Sequence, residues 1–300
     1  MKLYVNEWKK AQSGKFLLLL FVFGLIVSCL FGVVSKSVAD SMDTGDWRNE
    51  AEKAVEELEK IRNETADASF RQAIDDTIAA QKYYLEHDIN PTQLSRNDFI
   101  IATKDLFIIL QIILIARAYF YMGKEYIKNT IIPFVMQPKN REQLIGVKIM
   151  ILFTETMLAW LVAFAVAWIA SRIIIAPITQ QMGYFQDGTL ILHTFRTILQ
   201  LFAGNFLAGL LLGMIALVLS IAIRGRIVGL LATIGVLLFA NPLGNQLRRI
   251  VPVQALHQRG ILYIIDTARA GAKTGGMAGL FWILLLAVIS WLLFSRQKYR

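Results

Sequence analysis

Four charged residues interrupt apolar segments that are long enough to cross a membrane: Lys104, Asp105, Arg117 and Glu155. Charge at membrane depth is costly, so such residues mark ion paths, proton relays or internal pairs. Lys104 and Asp105 are adjacent and therefore do not share a helix face, which places them near the outer interface, where water reaches them. Glu155 has two interpretations. It carries protons, or it pairs with Arg117 of a neighbouring helix, and the pairing is favoured.

The sequence predicts no catalytic residue, no metal site and no directly bound cofactor, so the chain by itself is not predicted to be an enzyme. Cys29 is the single cysteine and lies in an apolar segment, which excludes an internal disulfide and a cysteine-based metal cluster. The three histidines have no ligand spacing: His87, His193 and His257. Residues 271–274 are similar to a phosphate-binding loop, but Thr267 and Ala272 occupy positions where that loop needs glycine.

Apolar helices are the elements that must position these charges. Hydrophobic residues make up 56% of the chain and its mean hydropathy is +0.52, values typical of a polytopic membrane protein rather than a soluble one. The net charge of +9 is spread over loops and segment ends, so no nucleic-acid partner is predicted. The predicted fold is an all-α polytopic membrane protein with six transmembrane helices.

The spans are predicted from apolar length, since about 20 helical residues cross the hydrocarbon core. They lie at residues 16–34, 99–121, 149–169, 197–223, 227–240 and 277–294. An amphipathic stretch at 1–15 precedes the first span and suits the membrane interface. Residues 26–29 fit the spacing of a lipoprotein cleavage signal, but the apolar run continues to Val34, which favours a retained first span.

Two stretches between spans are too polar to cross. Residues 35–98 carry 15 acidic and 8 basic residues with a thin helical seam, which predicts a long helix or a helical hairpin outside the membrane. This segment either contacts a substrate or partner, or serves as a solvated spacer. Residues 241–276 contain short apolar pieces broken by Pro252 and Gly260, which favours interfacial or re-entrant helices.

The basic residues predict the orientation. With six spans, both termini and residues 118–148 and 224–226 share one side, which holds 14 Lys and Arg over about 55 residues, against 15 over about 126 on the other side. Because cytoplasmic loops are enriched in Lys and Arg, both termini are predicted to be cytoplasmic. Residues 35–98 and 241–276 are then extracytoplasmic.

The loop at 123–148 has an unusual composition. An apolar run from Ile131 to Met136 is flanked by charges, and Pro138 follows it, where its missing N–H and its ring are expected to stop a helix. A more polar amphipathic start then leads through Lys148 into the third span. One or two apolar turns displayed on a basic loop suit docking into a groove of another protein.

At these residues the sequence resembles the membrane subunits of ABC-2-type transporters, whose loop between the second and third spans has a degenerate but ordered motif. The matching residues are Glu125, Thr130, Ile131, Ile132, Phe134, Val135, Met136, Pro138, Arg141 and Lys148. The sequence departs from the family pattern at Asn129, where glycine is common, and at Lys139 and Asn140, where a small residue and serine are common. The likeness covers the whole chain in topology but only 123–148 in motif.

The resemblance implies a permease subunit whose loop is a coupling helix that receives movement from a separate cytoplasmic ATPase, where ATP and Mg²⁺ bind. It implies a pair of permease chains, identical or paralogous, in a bacterial plasma membrane. It also implies export of peptides, lipids or amphipathic drug-like molecules. Residues 1–15 are similar to the family's elbow helix, and 241–276 resembles its short outer helices between spans five and six.

Two other functions stay open. An ion-coupled secondary transporter would use Glu155, Asp105 or Arg117 as its relay and would need no ATPase. A membrane sensor or scaffold that transports nothing would bind its partner through the extracytoplasmic helical segment. In that case, deleting about 46–88 abolishes activity, whereas changes at 131–136 have little effect.

Overall fold

The computed structural model describes residues 2–43, 45–65, 67–127, 138–175, 182–186, 188–224, 227–250, 260–261, 263–265 and 276–296. Within these ranges the chain is mostly helical and contains one β-hairpin. The chain forms two compact units. Unit 1 comprises Met1–Phe21, Lys104–Phe164 and Leu199–Arg300, and unit 2 comprises Val22–Thr103 and Ala165–Ile198.

The elements follow one another in this order: α1 (Lys2–Ala11), α2 (Ser13–Met42), α3 (Trp47–Glu64), α4 (Ala68–Glu86), α5 (Arg96–Ala102), a 3-10 turn (Thr103–Leu106), α6 (Phe107–Ile127), α7 (Pro138–Ile174), β1 (Gly183–Gln186), β2 (Thr189–Leu192), α8 (Phe195–Ala222), α9 (Ile227–Ile250) and α10 (Gly276–Arg296). Helices α2, α7 and α8 contribute residues to both units.

Four helices in the described part of the chain are long and apolar enough to cross a membrane: α2, α7 from Gln143 onwards, α8, and α10 from Ala278 onwards. Helices α5 and α6 make a fifth span if they are counted together across the 3-10 turn. The apolar part of α9, Ile227–Phe239, is shorter. The chain is therefore a multi-pass membrane protein. The mostly helical fold predicted from the sequence is confirmed, whereas these criteria do not establish six spans.

The core of unit 1 contains close contacts between helices at glycine. Leu152 of α7 lies against Gly213 of α8, and Tyr119 of α6 lies against Gly229 of α9. A Cβ atom built on Gly229 would be 2.9 Å from Tyr119 Cε2, so a larger residue cannot be placed there without displacing the ring. Ser220 Oγ donates a hydrogen bond to Tyr119 O at 2.8 Å, which also joins α8 to α6.

Helices α3 and α4 of unit 2 form a helical hairpin, one of the two arrangements that the acidic segment predicts. Its buried seam consists of Val55, Leu58, Ile74 and Ile78. The exposed sides carry the ion pairs Arg62–Asp75 at 2.5 Å and Lys82–Glu59 at 2.9 Å. A single polar helix with a thin apolar stripe has little to stabilise it in water, and the hairpin supplies the missing contact surface from the same chain.

Strands β1 and β2 also belong to unit 2 and form a short hairpin within the otherwise helical described residues. The strands pair antiparallel, with Gly183 opposite Leu192, and Gly188 in the turn has a φ of +73° that suits glycine. Asp76 Oδ1 of α4 accepts a hydrogen bond from Gly188 N at 2.8 Å, and the Tyr84 hydroxyl donates to Gly183 O. The strands have the sequences GYFQ and TLIL, which do not alternate apolar and polar residues, so the sequence shows no strand pattern there.

Helices α7 and α9 extend beyond the predicted spans. Helix α7 begins at Pro138, so this proline occupies the first position of a helix, where no N–H donor is needed. The predicted stop concerns the run before it, and residues 128–137 lie outside the described residues. Helix α9 continues to Ile250, so the first ten residues of the predicted re-entrant stretch 241–276 are helical. Residues 251–259, 262 and 266–275 of that stretch lie outside the described residues.

Gly229→Val is expected to destabilise the protein, because the new side chain meets the fully buried ring of Tyr119. Overpacking of this kind costs about 1–3 kcal/mol. Thermal unfolding in detergent should therefore give a lower Tm than for the wild type. Gly235→Val on the same helix is the control, because no atom of the described residues lies within 4 Å of a Cβ atom there. An equal loss in both variants would contradict the close contact between α6 and α9.

Candidate functional site

The amphipathic start of the chain forms a separate helix that packs on unit 1. One residue, Gln12, separates α1 from α2, and its φ of 53° lies in the left-handed region. This break lets α1 leave the axis of α2 instead of extending it. Tyr4 and Trp8 stack with their ring centroids 6.0 Å apart and pack against the unit 1 core. Helix α1 therefore lies against protein through part of its surface.

Glu7 on α1 is the centre of a buried ion cluster. Its side chain is 2% exposed, and its carboxylate oxygens lie 2.7 Å from Lys148 Nζ and 2.6 Å from Lys10 Nζ. Lys148 of α7 also donates a hydrogen bond to Tyr121 O of α6 at 2.9 Å. Buried charges are tolerated when they are paired and further hydrogen-bonded. The cluster thus joins α1, α6 and α7.

The pKa of Glu7 lies below the ordinary value of 4.5. Burial alone raises this pKa, but the charge of Lys148 and the hydrogen bonds from Lys10 and Lys148 together lower it by more. Glu7 is therefore ionised at neutral pH, and its partners stabilise the charged form.

Arg117 of α6 connects the same helices at a second point. Its Nε donates to Glu155 Oε1 of α7 at 2.7 Å, and its Nη2 contacts the same carboxylate. Nη2 also donates to Ala11 O at 2.9 Å, and the guanidinium carbon lies 4.1 Å from the ring centroid of Phe16. Ala11 O belongs to the last turn of α1, where carbonyl groups lack helical partners and attract cations. Arg117 therefore caps α1 and neutralises the buried Glu155.

We call Glu7, Arg117, Lys148 and Glu155 the N-terminal clamp, because these side chains fix α1 to α6 and α7. Two carboxylates face two long cations, so the four charges balance within the clamp. Such an arrangement holds the three helices in position. Among the described residues, no group of three or more His, Cys, Asp and Glu side chains is placed to hold a metal ion.

The structure brings together part of the predicted intramembrane charge network. Arg117 and Glu155 pair across α6 and α7, which is the structural one of the two interpretations of Glu155. Lys104 is exposed in the 3-10 turn Thr103–Leu106, and Asp105 lies in the same turn. The clamp does not include these two residues.

The predicted coupling residues are placed unevenly. Lys148 is buried in the clamp. Glu125 lies near the end of α6, and Pro138 and Arg141 lie in the first turns of α7. The others lie outside the described residues: Thr130, Ile131, Ile132, Phe134, Val135 and Met136. Because α7 is one helix, Pro138 and Lys148 are joined by about 15 Å of continuous helix.

Sequence reasoning missed the role of Glu7. This residue is the only carboxylate before Asp40, and it lies between Lys2 and the pair Lys9 and Lys10. A lone acid on a basic amphipathic helix is the signal that could have drawn attention to it. The sequence alone does not say which cation, since Lys148 lies on another helix far along the chain.

A second polar cluster lies in unit 2 at the start of α5. Ser95 N donates to Asp98 Oδ2 at 3.1 Å, and Asp98 N donates to Ser95 Oγ at 3.1 Å, which forms a capping box. Asp98 Oδ1 contacts His193 Nδ1, and Asn97 Nδ2 donates to His193 O at 2.7 Å. These bonds attach the end of β2 to α5.

No protein-family model matches the chain, and a comparison with curated proteins finds no match. Function is therefore inferred from the spans, the clamp and the loop motif.

Breaking the Glu7–Lys148 pair is expected to destabilise unit 1. Lys148→Met leaves Glu7 buried with Lys10 as its remaining partner, and the loss of one partner of a buried pair costs about 3–5 kcal/mol. Glu7→Gln should also destabilise, and the double variant should lose less than the sum of the two single losses. Unfolding of all four proteins in detergent measures this coupling. Additive losses would show that the two side chains do not interact.

Acid is expected to weaken the clamp within a defined pH range. Because the folded-state pKa of Glu7 is below 4.5, its contribution to stability is fully present above that value. The contribution decreases as the pH falls below 4.5 and is lost once the pH has passed the folded-state pKa. The Tm should therefore fall more steeply with acidification in the wild type than in Glu7→Gln. Parallel curves for the two proteins would rule out this titration.

Proposed function

We propose that this chain is the membrane-spanning permease subunit of an ATP-binding-cassette transporter of the ABC-2 type. In this proposal the chain has six spans, α1 is an interfacial elbow helix, and both termini lie in the cytoplasm of a bacterium. A separate cytoplasmic ATPase binds ATP and Mg²⁺, and a second permease copy or a paralogue completes the transporter. The complex exports peptides, lipids or amphipathic drug-like molecules through the plasma membrane.

The observation that carries the proposal is the burial of Lys148 in the clamp. This residue ends the loop motif that resembles ABC-2 subunits, and it contacts Glu7 of α1 and Tyr121 O of α6. A lysine at the end of an ordinary solvated loop has no need of a buried carboxylate. The arrangement supports a loop whose movement is passed to several helices.

The clamp provides a path for that movement. Lys148 and Glu155 lie two turns apart on α7, so a displacement of α7 moves both. Lys148 is bonded to α1 and α6, and Glu155 is bonded to α6 through Arg117. Closure of the ATPase pair on binding nucleotide would displace the loop at 131–136. The spans then shift between inward-facing and outward-facing arrangements.

The pairing of Glu155 argues against the ion-coupled alternative. Its side chain is 1% exposed, and one oxygen is held by two nitrogens of Arg117. A proton relay would have to protonate Glu155 at every cycle, which would leave the charge of Arg117 without its carboxylate partner. The sensor alternative is supported by a different observation, the folded α3–α4 hairpin of unit 2 with its attached β-hairpin.

Purification of the tagged chain from its native host in mild detergent, followed by mass spectrometry, tests the proposal. A stoichiometric P-loop ATPase should accompany the wild-type chain. Phe134→Asp should still insert in the membrane but reduce the bound ATPase about tenfold or more, because it places a charge in the apolar docking run. Transport driven by ATP should fall with it.

Phe70→Asp is the matched control, since Phe70 is 56% exposed on α4 of unit 2. It should retain the ATPase. A wild-type chain that purifies without an ATPase would contradict the proposal. Loss of activity in Phe70→Asp but not in Phe134→Asp would favour the sensor or scaffold instead.

A further inference from the structure

We infer that unit 1 contains a binding site for uncharged hydrogen-bonding groups inside the membrane, formed by Gln111 of α6, Thr156 and Trp160 of α7, and Asn205 of α8. We call it the interior polar site. Its place on a transport route rests on the proposed function, whereas its capacity to bind an uncharged amide does not. The site uses none of the four clamp residues.

Contacts among three helices bring the members of the site together. Gln111 Nε2 donates to Asn205 Oδ1 at 3.3 Å, which joins α6 to α8. Gly209 lies one turn beyond Asn205, and a Cβ atom built on it would be 3.1 Å from Trp160 Nε1 and 3.9 Å from Thr156 Cγ2. The side chains of Gln111, Thr156 and Trp160 therefore lie beside the turn of α8 that runs from Asn205 to Gly209.

Three polar atoms of the site have no hydrogen-bond partner among the described residues: Gln111 Oε1, Thr156 Oγ1 and Trp160 Nε1. Their residues are at most 4% exposed, so solvent does not satisfy them in this arrangement. Thr154, two positions from Thr156, shows the usual alternative, since its hydroxyl donates to Met150 O at 2.8 Å. Polar side chains often hold membrane helices together, which explains the Gln111–Asn205 bond but not the three unpartnered atoms.

The unpartnered atoms specify the chemistry of the ligand. Trp160 Nε1 can only donate, Gln111 Oε1 can only accept, and the Thr156 hydroxyl can do either. A group with both a donor and an acceptor, such as an amide or a hydroxyl, matches this set. The four site residues carry no charge, and the nearest ionised groups along α6 and α7, Arg117 and Glu155, neutralise each other. The site therefore favours uncharged groups over ions.

Aromatic rings adjoin the polar atoms. Phe107 lies one turn before Gln111 and makes edge contacts with Trp160 and Phe202, each with ring centroids 4.8 Å apart. Phe164 contacts Phe202 with a centroid distance of 5.2 Å. Apolar walls with a few convergent polar groups are typical of small-molecule sites. The ligand class is thus an uncharged amphiphile with an amide or hydroxyl head and an apolar tail.

Photo-crosslinking on the full chain in lipid nanodiscs tests the site. The probe is dodecanamide that carries a diazirine beside its amide, and the matched probe is dodecane with the same diazirine. Mass spectrometry should locate the amide adducts around Gln111, Thr156 and Asn205. Excess dodecanamide should suppress them about tenfold, and excess dodecane should not, since one hydrogen bond to an uncharged group is worth about a factor of ten.

Two variants probe the geometry without adding charge. Gly209→Ala places a methyl beside the indole N–H, and Gln111→Leu removes the acceptor, so each should lower the adduct yield about fivefold or more. Gly235→Ala is the control, because within the part of the chain that the structure describes no atom lies within 4 Å of a Cβ atom there. The Tm of each variant shows whether it folds. If Gln111→Leu does not fold, Gly209→Ala alone still tests the site.

Amide adducts that follow the dodecane pattern over the exposed faces of α2 and α10 would overturn the site. An adduct yield in Gly209→Ala equal to that of the wild type would also overturn the site. The nanodisc experiment contains no ATPase and so separates the two proposals. Selective binding by a chain that purifies without an ATPase would overturn the transporter and support the site. Purification with an ATPase but without selective adducts would support the transporter and overturn the site.

Discussion

The cost of burying a charge without a partner is the constraint on which unit 1 depends. Glu7 and Glu155 are both nearly inaccessible to solvent, and each is matched by a cation from another helix. Both cations also reach a backbone carbonyl, Ala11 O or Tyr121 O. An arrangement that separated α1 from α7 would leave charge buried without a partner, so the pairs select which helix arrangements are accessible. Apolar packing alone does not make that selection, because lipid tails compete with it.

Much of the helical architecture could be predicted, because it depends on properties of short segments. Apolar length predicts the long helices, and the seven-residue spacing of Lys148 and Glu155 places both on one face of α7. Arg117 could also be expected beside Glu155, since few intramembrane cations were available as partners. Each of these inferences uses the sequence of one helix, or of two neighbouring helices.

The features that could not be predicted depend on residues far apart in the sequence, or on residues that are compatible with two different local structures. Glu7 finds its partner on a helix far along the chain, and no local pattern identifies it. Pro138 is compatible with the end of one helix or the start of the next, and the flanking residues decide between them. The β-hairpin is hydrogen-bonded to Asp76 and Tyr84 of α4, and the sequences of the two strands give no indication of these bonds. In the sequence, Thr156 resembles any other residue of an apolar span. Only the structure shows that its hydroxyl has no hydrogen-bond partner among the described residues.

Arg117 and Ala11, which meet at the end of α1, are 106 positions apart in the sequence. At synthesis rates of about 5–20 residues per second, roughly 5–20 seconds pass between the making of Ala11 and that of Arg117. During this interval the last carbonyl groups of α1 and the carboxylate of Glu7 need water, so α1 has to remain at a hydrated surface. Helix α1 therefore has to wait for α6 before Arg117 can cap it, and its second cation, Lys148, is made later still.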